Sequence, residues 1–477
     1  MTSREPGESD SSTDTHGNEV PSRVRLSIVA AALLSFTGIL TETSLNVTFT
    51  TMTRQFALPM STVQTLTSGY LLMVTLAMSA SAYLLRRFDA RLLFRSAVIV
   101  SLVGLLLCAL PVATSPSTFP VLLAGRLLQS VATGVATPLM MHVILTSVPL
   151  HLRGTYLGFA GMVISFAPAL GPTYGGLVNH VTSWRLVFVL VMPVVVAAWI
   201  LGERNLRLPA RGVHGHRFDV VGLLLLAVVL IGITQAVDQA GANGPTSASA
   251  LIPLAIAILA GVLAVHHALH DDAPLLNLRI LANPVVGSRA VGYFVLQFTN
   301  IGSSFLLPVF LQTLSGIDSL TAGLLLLPGS LLGALVAPFA GSFYDHRGAK
   351  AVLLASHGLM LAGTLMLWAL TASLTVPIVT VLYMLLRLGF NLGFGNTMTD
   401  ASKVVDPSRQ TDVNSLFNTI QQYAGSLGTS ALSALLALGE LRHPGDATAG
   451  AVAGAGDGFL LLVVLGAVAL VGVVVSL

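Results

Sequence analysis

Residues 167–180 read "APALGPTYGGLVNH", and residues 183–193 continue as "SWRLVFVLVMP". With Gly158 and Gly161 upstream, the stretch sets Gly171, Gly175 and Gly176 around Pro168 and Pro172 in an apolar background. Small residues four apart let helix backbones approach closely. Proline leaves a carbonyl unpaired and bends a helix. The pattern predicts a bent, close-packed helix, suited to a surface that rocks against a neighbour. Lone glycines would fit any tightly packed helix; the run GPxxGG followed by Trp184-Arg185 asks for more.

The rest of the chain says where such a helix sits. Of 477 residues, 54% are hydrophobic and 9% charged, with a mean hydropathy of +0.84. Soluble domains carry roughly 25% charged residues, so a soluble core is excluded. The single cysteine, Cys108, rules out an intramolecular disulfide. Residues 1–22 are polar and acidic and are followed by no cleavage site, which predicts a disordered cytoplasmic tail rather than a signal peptide. The formal charge of +3 carries no signal for nucleic acid.

A helix needs about 20 mostly apolar residues to cross a bilayer core of ~30 Å. Fourteen segments qualify: 26–48, 61–85, 92–113, 118–146, 154–180, 184–202, 219–241, 248–270, 286–313, 319–344, 351–372, 376–400, 410–438 and 457–477. Of the 23 basic residues, all but Arg54, Arg126, Arg185, Arg387 and Arg442 fall on one side, with Arg289 and Lys403 counted among its loops. The positive-inside rule makes that side cytoplasmic, with both termini inside. Leu477 ends the chain while it is still apolar, so a short further tail is expected.

An internal repeat gives the architecture. Span 4, "LLAGRLLQSVATGVATPLM", and span 12, "YMLLRLGFNLGFGNTMT", each hold one buried arginine among small and amide residues. The loop after span 2, "AYLLRRFDARLLF", has the rhythm of the loop after span 10, "GSFYDHRGAKAVLL". An offset of eight spans predicts two six-helix halves separated by two inserted helices. The domains are then 1–22 (tail), 23–204, 205–279 (loop and insert) and 280–477.

Polar residues inside the spans are the candidate machinery. In "LTETSLNVTF" (40–49), Glu42 is the only acid of an apolar span. A charge near the bilayer centre costs about 2.5–3.5 kcal/mol on insertion scales. Glu42 lies ~24 Å along its helix from Leu26 at 1.5 Å per residue, with Asn46 at i+4 on the same face. A carboxyl in that place can alternate between protonated and charged forms as access alternates, which is the chemistry of proton coupling; a hydrogen-bonded structural role is the plainer reading. Arg126, Gln129, Thr133 and Thr137 form a polar stripe, and Tyr383, Arg387 and Asn391 repeat it. Gln297 and Asn300 with Ser304, and Asn414, Asn418 and Gln421 with Gln422, are two further stripes among aromatic residues. They suit a cavity for amphipathic molecules or, equally, helix–helix hydrogen bonds. Tyr70 and Gln64 are weaker candidates. Asp238 and Asp219 lie near the two ends of the insert, and Asp238 is the next carboxyl after Glu42 for a proton. Asp400 and Asp412 flank a loop as gate or cap residues. The run "HHALHDD" (266–272) is expected to hold no metal, and no GxxxxGK[ST] loop supports ATP drive.

Taken together, these residues resemble the fourteen-span drug:proton antiporter branch of the major facilitator superfamily. "APALGPTYGGLVNH" with "SWRLVFVLVMP" matches its antiporter motif, which covers Gly161, Pro168, Gly171, Pro172, Gly175 and Gly176. "FDVVGLLLL" and "TAGLLLLPGSLLGALVAPFAGSFYDHRGAK" are typical of the fourteen-span branch. "ILTETSLNVTF" is close to lincomycin-resistance-type exporters. The resemblance covers the chain after residue 22 and implies an all-α polytopic membrane protein of the major facilitator fold. It also implies that Arg126 belongs to a motif of proton transfer. The cytoplasmic gate falls on Arg87, Arg91, Asp345 and Gly348, although Ala82, Arg86 and Asp89 depart from the motif in the first half and Ser130 replaces a glycine in span 4.

The expectation is therefore a secondary transporter, not an enzyme, in a bacterial cell membrane. It would be a monomer among lipids, without cofactor, exporting amphipathic drugs or antibiotics with the proton as coupling ion and Glu42, Arg126 and Asp238 as the coupling residues. The rivals are a dedicated exporter of an endogenous lipid or metabolite and a non-transporting membrane receptor.

Overall fold

The computed structural model describes residues 20–110, 115–207, 218–271, 274–406 and 409–476. Tail residues 1–19, Arg211, Arg217 and Asp272 lie outside them, as do the side chains of Ala82, Arg86, Gly158 and Gly161. Among the described residues there are fifteen α-helices and no strands. They are α1 (Ser22–Ser44), α2 (Phe49–Phe56), α3 (Met60–Arg87), α4 (Ala90–Ala109), α5 (Phe119–Ser147), α6 (Leu150–Val181), α7 (Arg185–Asn205), α8 (Val220–Asn243) and α9 (Ala248–His270). After these come α10 (Pro284–Ser315), α11 (Ser319–Leu324), α12 (Leu327–Ala369), α13 (Val376–Lys403), α14 (Gln410–Arg442) and α15 (Ala447–Ser476). Helices are the solution a bilayer imposes, because each backbone donor must find its acceptor inside the segment.

Thirteen helical segments of described residues are long and apolar enough to cross a membrane, and α6 occupies the place of the remaining expected span. Two details differ from expectation. First, α1 stops at Ser44, and Leu45–Val47 form a 3-10 turn before α2. Thr37, Thr41, Thr43 and Ser44 all turn their hydroxyls back onto α1 carbonyls, a pairing that competes with straight helix. Asn46 therefore does not share one helical face with Glu42. Second, spans 10 and 11 are joined by a tight turn: two helices, labelled together as α12, meet at Gly348, whose φ is +75°. Glycine takes that left-handed conformation without the Cβ penalty.

Helices α1 and α3–α7 pack as one half and α10–α15 as the other, while α9 packs on α8 and α8 docks on α14 and α3. One end of the bundle carries the basic residues. There Arg91 donates to the Leu206 and Glu203 carbonyls at 3.1 and 2.6 Å, and Arg95 pairs with Glu203. We term this the basic face and the opposite end the far face.

The halves are closed at the far face. Thr50 donates to Gln312 at 2.6 Å, Gln312 donates to the Val47 carbonyl at 3.3 Å, and Asn179 donates to Thr51 and Ser319 at 3.2 and 3.0 Å. His180 Nδ1 lies 3.1 Å from the Asp318 carboxylate. The glycines of α6 make this approach possible. A Cβ on Gly176 would lie 2.3 Å from the Ser319 carbonyl oxygen, and one on Gly323 would lie 2.3 Å from that of Pro172. Gly175 is as tight within its own half, 2.1 Å from the Ser44 oxygen.

Candidate functional site

The N-terminal half holds its polar residues around Arg126, which is fully buried. Its guanidinium lies 4.1 Å over the Tyr70 ring, NH1 donates to Gln129 Oε1 at 2.8 Å, and NH2 is buried without a partner. A cation over an aromatic face gains about 2 kcal/mol or more when desolvated, so the stack fixes the arginine. Tyr70 shares a 2.7 Å hydrogen bond with Thr133 and donates to the Gly38 carbonyl at 3.1 Å. Gln129 passes its amide on to Cys108 Sγ at 3.2 Å.

Glu42 is buried; Arg126 acts on it electrostatically, and it acts in turn on Tyr70. Among the described residues it carries neither a hydrogen bond nor an ion pair. Asn46 instead accepts from Thr67 at 3.3 Å, fixing the 3-10 turn to α3. It is a joint in the chain.

The C-terminal half repeats the theme on other elements. Arg387 donates to Asn300 Oδ1 and lies 5.4 Å over Phe390, while its Nε has no partner. Tyr383 and Ser304 share a 3.0 Å hydrogen bond, and Asn300 donates to Gln297 at 3.4 Å. Asn391 donates back to the Arg387 carbonyl at 2.9 Å and fills the space above Gly333. Gln421 accepts from Tyr293 at 3.2 Å, and Asn414 and Asn418 are exposed. The structure thus ties Gln297, Asn300, Tyr383 and Arg387 into one network and leaves the α14 amides apart from it.

Of the gate residues, Arg91 is held by the end of α7 within its own half, Arg87 and Asp345 are exposed, and Gly348 makes the turn in α12. Sequence reasoning missed a stronger feature nearby. Arg289, assigned to the basic loops, is 1% exposed and donates through Nε to Asp400 at 2.7 Å. Tyr344 donates to the other carboxylate oxygen at 2.8 Å, and NH1 of Arg289 reaches Ser476 at 2.6 Å. Arg289 and Asp400 are 111 residues apart, and Tyr344 and Asp400 56, so no local pattern links them.

Asp219, His267 and Asp271 bring ligand-type atoms within 4.8 Å of one another beside a cavity of about 520 Å³ lined also by His266 and His270. The Asp219 carboxylate is already engaged: it caps α8 through Gly222 N–H at 2.6 Å and accepts from Leu275 N–H at 2.9 Å and His267 at 2.7 Å. Burial pushes this carboxyl up, but those hydrogen bonds outweigh it and hold it below the usual carboxylate range. The cluster is a staple for the insert.

The family model of the Major Facilitator Superfamily matches residues 31–429. The chain belongs to the Major Facilitator Superfamily. It is 30% identical over 414 residues to the lincomycin resistance protein LmrB of Listeria innocua, covering 87% of each chain. It is also 26% identical over 409 residues to the riboflavin transporter RibZ of Clostridioides difficile, covering 84% of this chain and 86% of that one. Among solved structures, a bacterial homologue of the lysosomal transporter Spinster matches with a TM-score of 0.67 at 16% identity, covering 96% and 98% of the two chains. A D-xylose–proton symporter matches at 0.66 and 14%, covering 95% and 97%. This major facilitator protein is a multi-pass membrane transporter and not an enzyme.

Proposed function

We propose that this transporter exports amphipathic drugs or antibiotics from the cytoplasm in exchange for protons, with Glu42 as the proton-carrying carboxyl. The reading rests on one observation: among the described residues Glu42 is buried without a bond of its own and feels the charge of Arg126, whose NH2 is also unpartnered. Intramembrane acids are costly and face pathways rather than lipid. Arg126 offers the charge that a deprotonated Glu42 needs, and a neutral Glu42 leaves Arg126 free to keep its Tyr70 stack.

The basic face lies in the cytoplasm of a bacterial cell by the positive-inside rule. Closure at the far face is then closure of the outer side, one position of an alternating-access cycle. Substrate enters between the halves, where the Arg387–Asn300–Gln297 network and the exposed Asn414 and Asn418 supply polar contacts. Asp238 is a further carboxyl for coupling, considered below. The LmrB relative favours drugs. The RibZ relative favours the second reading, a dedicated exporter of one metabolite.

The test is proton release from proteoliposomes on adding a lincosamide or a lipophilic cation, with wild type against Glu42→Gln. Release by wild type alone, with drug still bound by the variant, is the expected result. Equal release by both removes Glu42 from coupling. Release by neither, with riboflavin-like metabolites transported, favours the second reading.

A further inference from the structure

Where the insert meets the core, Gln64 Oε1, Asp238 Oδ1 and Ser433 Oγ are buried without partners, and the Thr234 hydroxyl has only Tyr423 beside it. Their helices hold a constant register. The Tyr423 hydroxyl reaches the Leu230 carbonyl at 3.5 Å, Ser430 faces the Asp238 carboxyl, and a Cβ on Gly241 would lie 2.5 Å from Ala434 Cα. Thr234 and Asp238 thus stand one turn apart on the face of α8 that Ser430 and Ser433 line. Gln64 closes the third side from α3, donating through Nε2 to Ser430 Oγ at 3.2 Å and leaving its oxygen free.

An unmade hydrogen bond on a buried group costs about 1–3 kcal/mol, and buried polar atoms normally have a partner. Here the free atoms are all oxygens. The charge is also unbalanced. Asp238 is the only ionisable residue of α8, the arginines of α3 (Arg86, Arg87) sit at its basic end, and Arg442 of α14 lies twelve residues, ~18 Å along a helix, beyond Ser430. The other ionisable groups of these helices are Asp412, at the basic end of α14, and Glu440, at its far end, with Tyr70, Tyr83 and Tyr423. On α9 the histidines lie at the basic face. Among the described residues no resident cation faces Asp238. Oxygen donors around one carboxylate are the ligand set of a hard cation.

We propose that the seam between α8, α3 and α14 binds one monovalent cation, hydronium or Na⁺, with Asp238 as its charge and Gln64, Thr234, Ser430 and Ser433 as neutral oxygen ligands. Because α3 belongs to one half and α14 to the other, occupancy is tied to their relative position, and this gives the insert a part in the cycle. The inference extends the coupling reading of Asp238 but needs no drug flux, so it stands or falls separately from export.

The experiment is equilibrium binding to full-length protein in lipid nanodiscs, using radioactive sodium with choline as the control ion, together with proton release on alkalinisation. Saturable sodium binding that is lost in Asp238→Asn, weakened about tenfold in Ser430→Ala and kept in Glu42→Gln supports the site with Na⁺ as occupant. Absence of sodium binding, with proton release reduced in Asp238→Asn and shifted in pH in Ser430→Ala, supports it with hydronium. No sodium binding and unchanged proton release in monodisperse Asp238→Asn and Ser430→Ala overturn it, and the seam then holds water alone.

Discussion

Arg126 lays its guanidinium 4.1 Å over the ring of Tyr70. The same tyrosine ties α3 to α5 through Thr133 and to α1 through the Gly38 carbonyl. Arg126, the cation that acts on Glu42 among the described residues, is therefore fixed by contacts that span three helices, and its position follows the packing of the whole half.

Arg126→Lys removes the planar stack and the fork that reaches Gln129, which an ammonium does not reproduce. Drug-driven proton release in proteoliposomes should fall at least about tenfold, equivalent to roughly 1.4 kcal/mol, while the protein still elutes as a single species. Retained coupling would show that charge alone suffices.

Gly175→Ala and Gly176→Ala should fail differently. The first places a methyl 2.1 Å from the Ser44 oxygen inside one half, and the second 2.3 Å from the Ser319 oxygen across the halves. Overpacking costs typically about 1–3 kcal/mol. Gly175→Ala should lower the melting temperature. Gly176→Ala should instead open the far face, read as faster labelling of a cysteine placed at Thr51.

The Asp318 carboxyl at the far face gives a pH dependence with a definite sign. Hydrogen bonds from Thr321, and then the attraction of His180, hold the Asp318 carboxyl below its usual range. A lowered native value means that its contribution is present above the unfolded value near ~3.9 and is lost as pH falls through the native one. Folded-state stability in detergent, followed by thermal unfolding, should be unchanged by this carboxyl above about pH 5 and weaken below about pH 4. Asp318→Asn should remove that acid limb.

Arg289 and Asp400 make a buried ion pair. Breaking such a pair costs about 3–5 kcal/mol, while replacing both members by apolar residues is often near neutral. Arg289→Met alone should destabilise the detergent-purified protein strongly, and Arg289→Met with Asp400→Leu should recover most of the melting temperature. An equal loss in both would mean that the Tyr344 and Ser476 contacts, not the pair, hold this corner.

Much of the candidate site was legible in the chain because lipid makes polar residues conspicuous. Glu42, Arg126 and Arg387 stand out in apolar spans for that reason alone. Their partners did not. Gln129 three residues after Arg126 was readable from helical periodicity. Tyr70 over the same guanidinium comes from another helix, and Asn300 reaches Arg387 from α10. Asn46 misled because a straight helix was assumed where threonine and serine hydroxyls end α1.

By itself the sequence determined the membrane class and the run of apolar spans, and it pointed to the small residues of α6 that meet the other half. Each of these follows from local hydropathy, charge and periodicity. Only the tertiary structure decided which face is closed, that Arg289 is buried against Asp400, and that Gln64, Asp238 and Ser430 share one seam. Those facts depend on which helices meet and in what register, and hydrogen bonds between residues hundreds of positions apart leave no trace in the spacing along the chain.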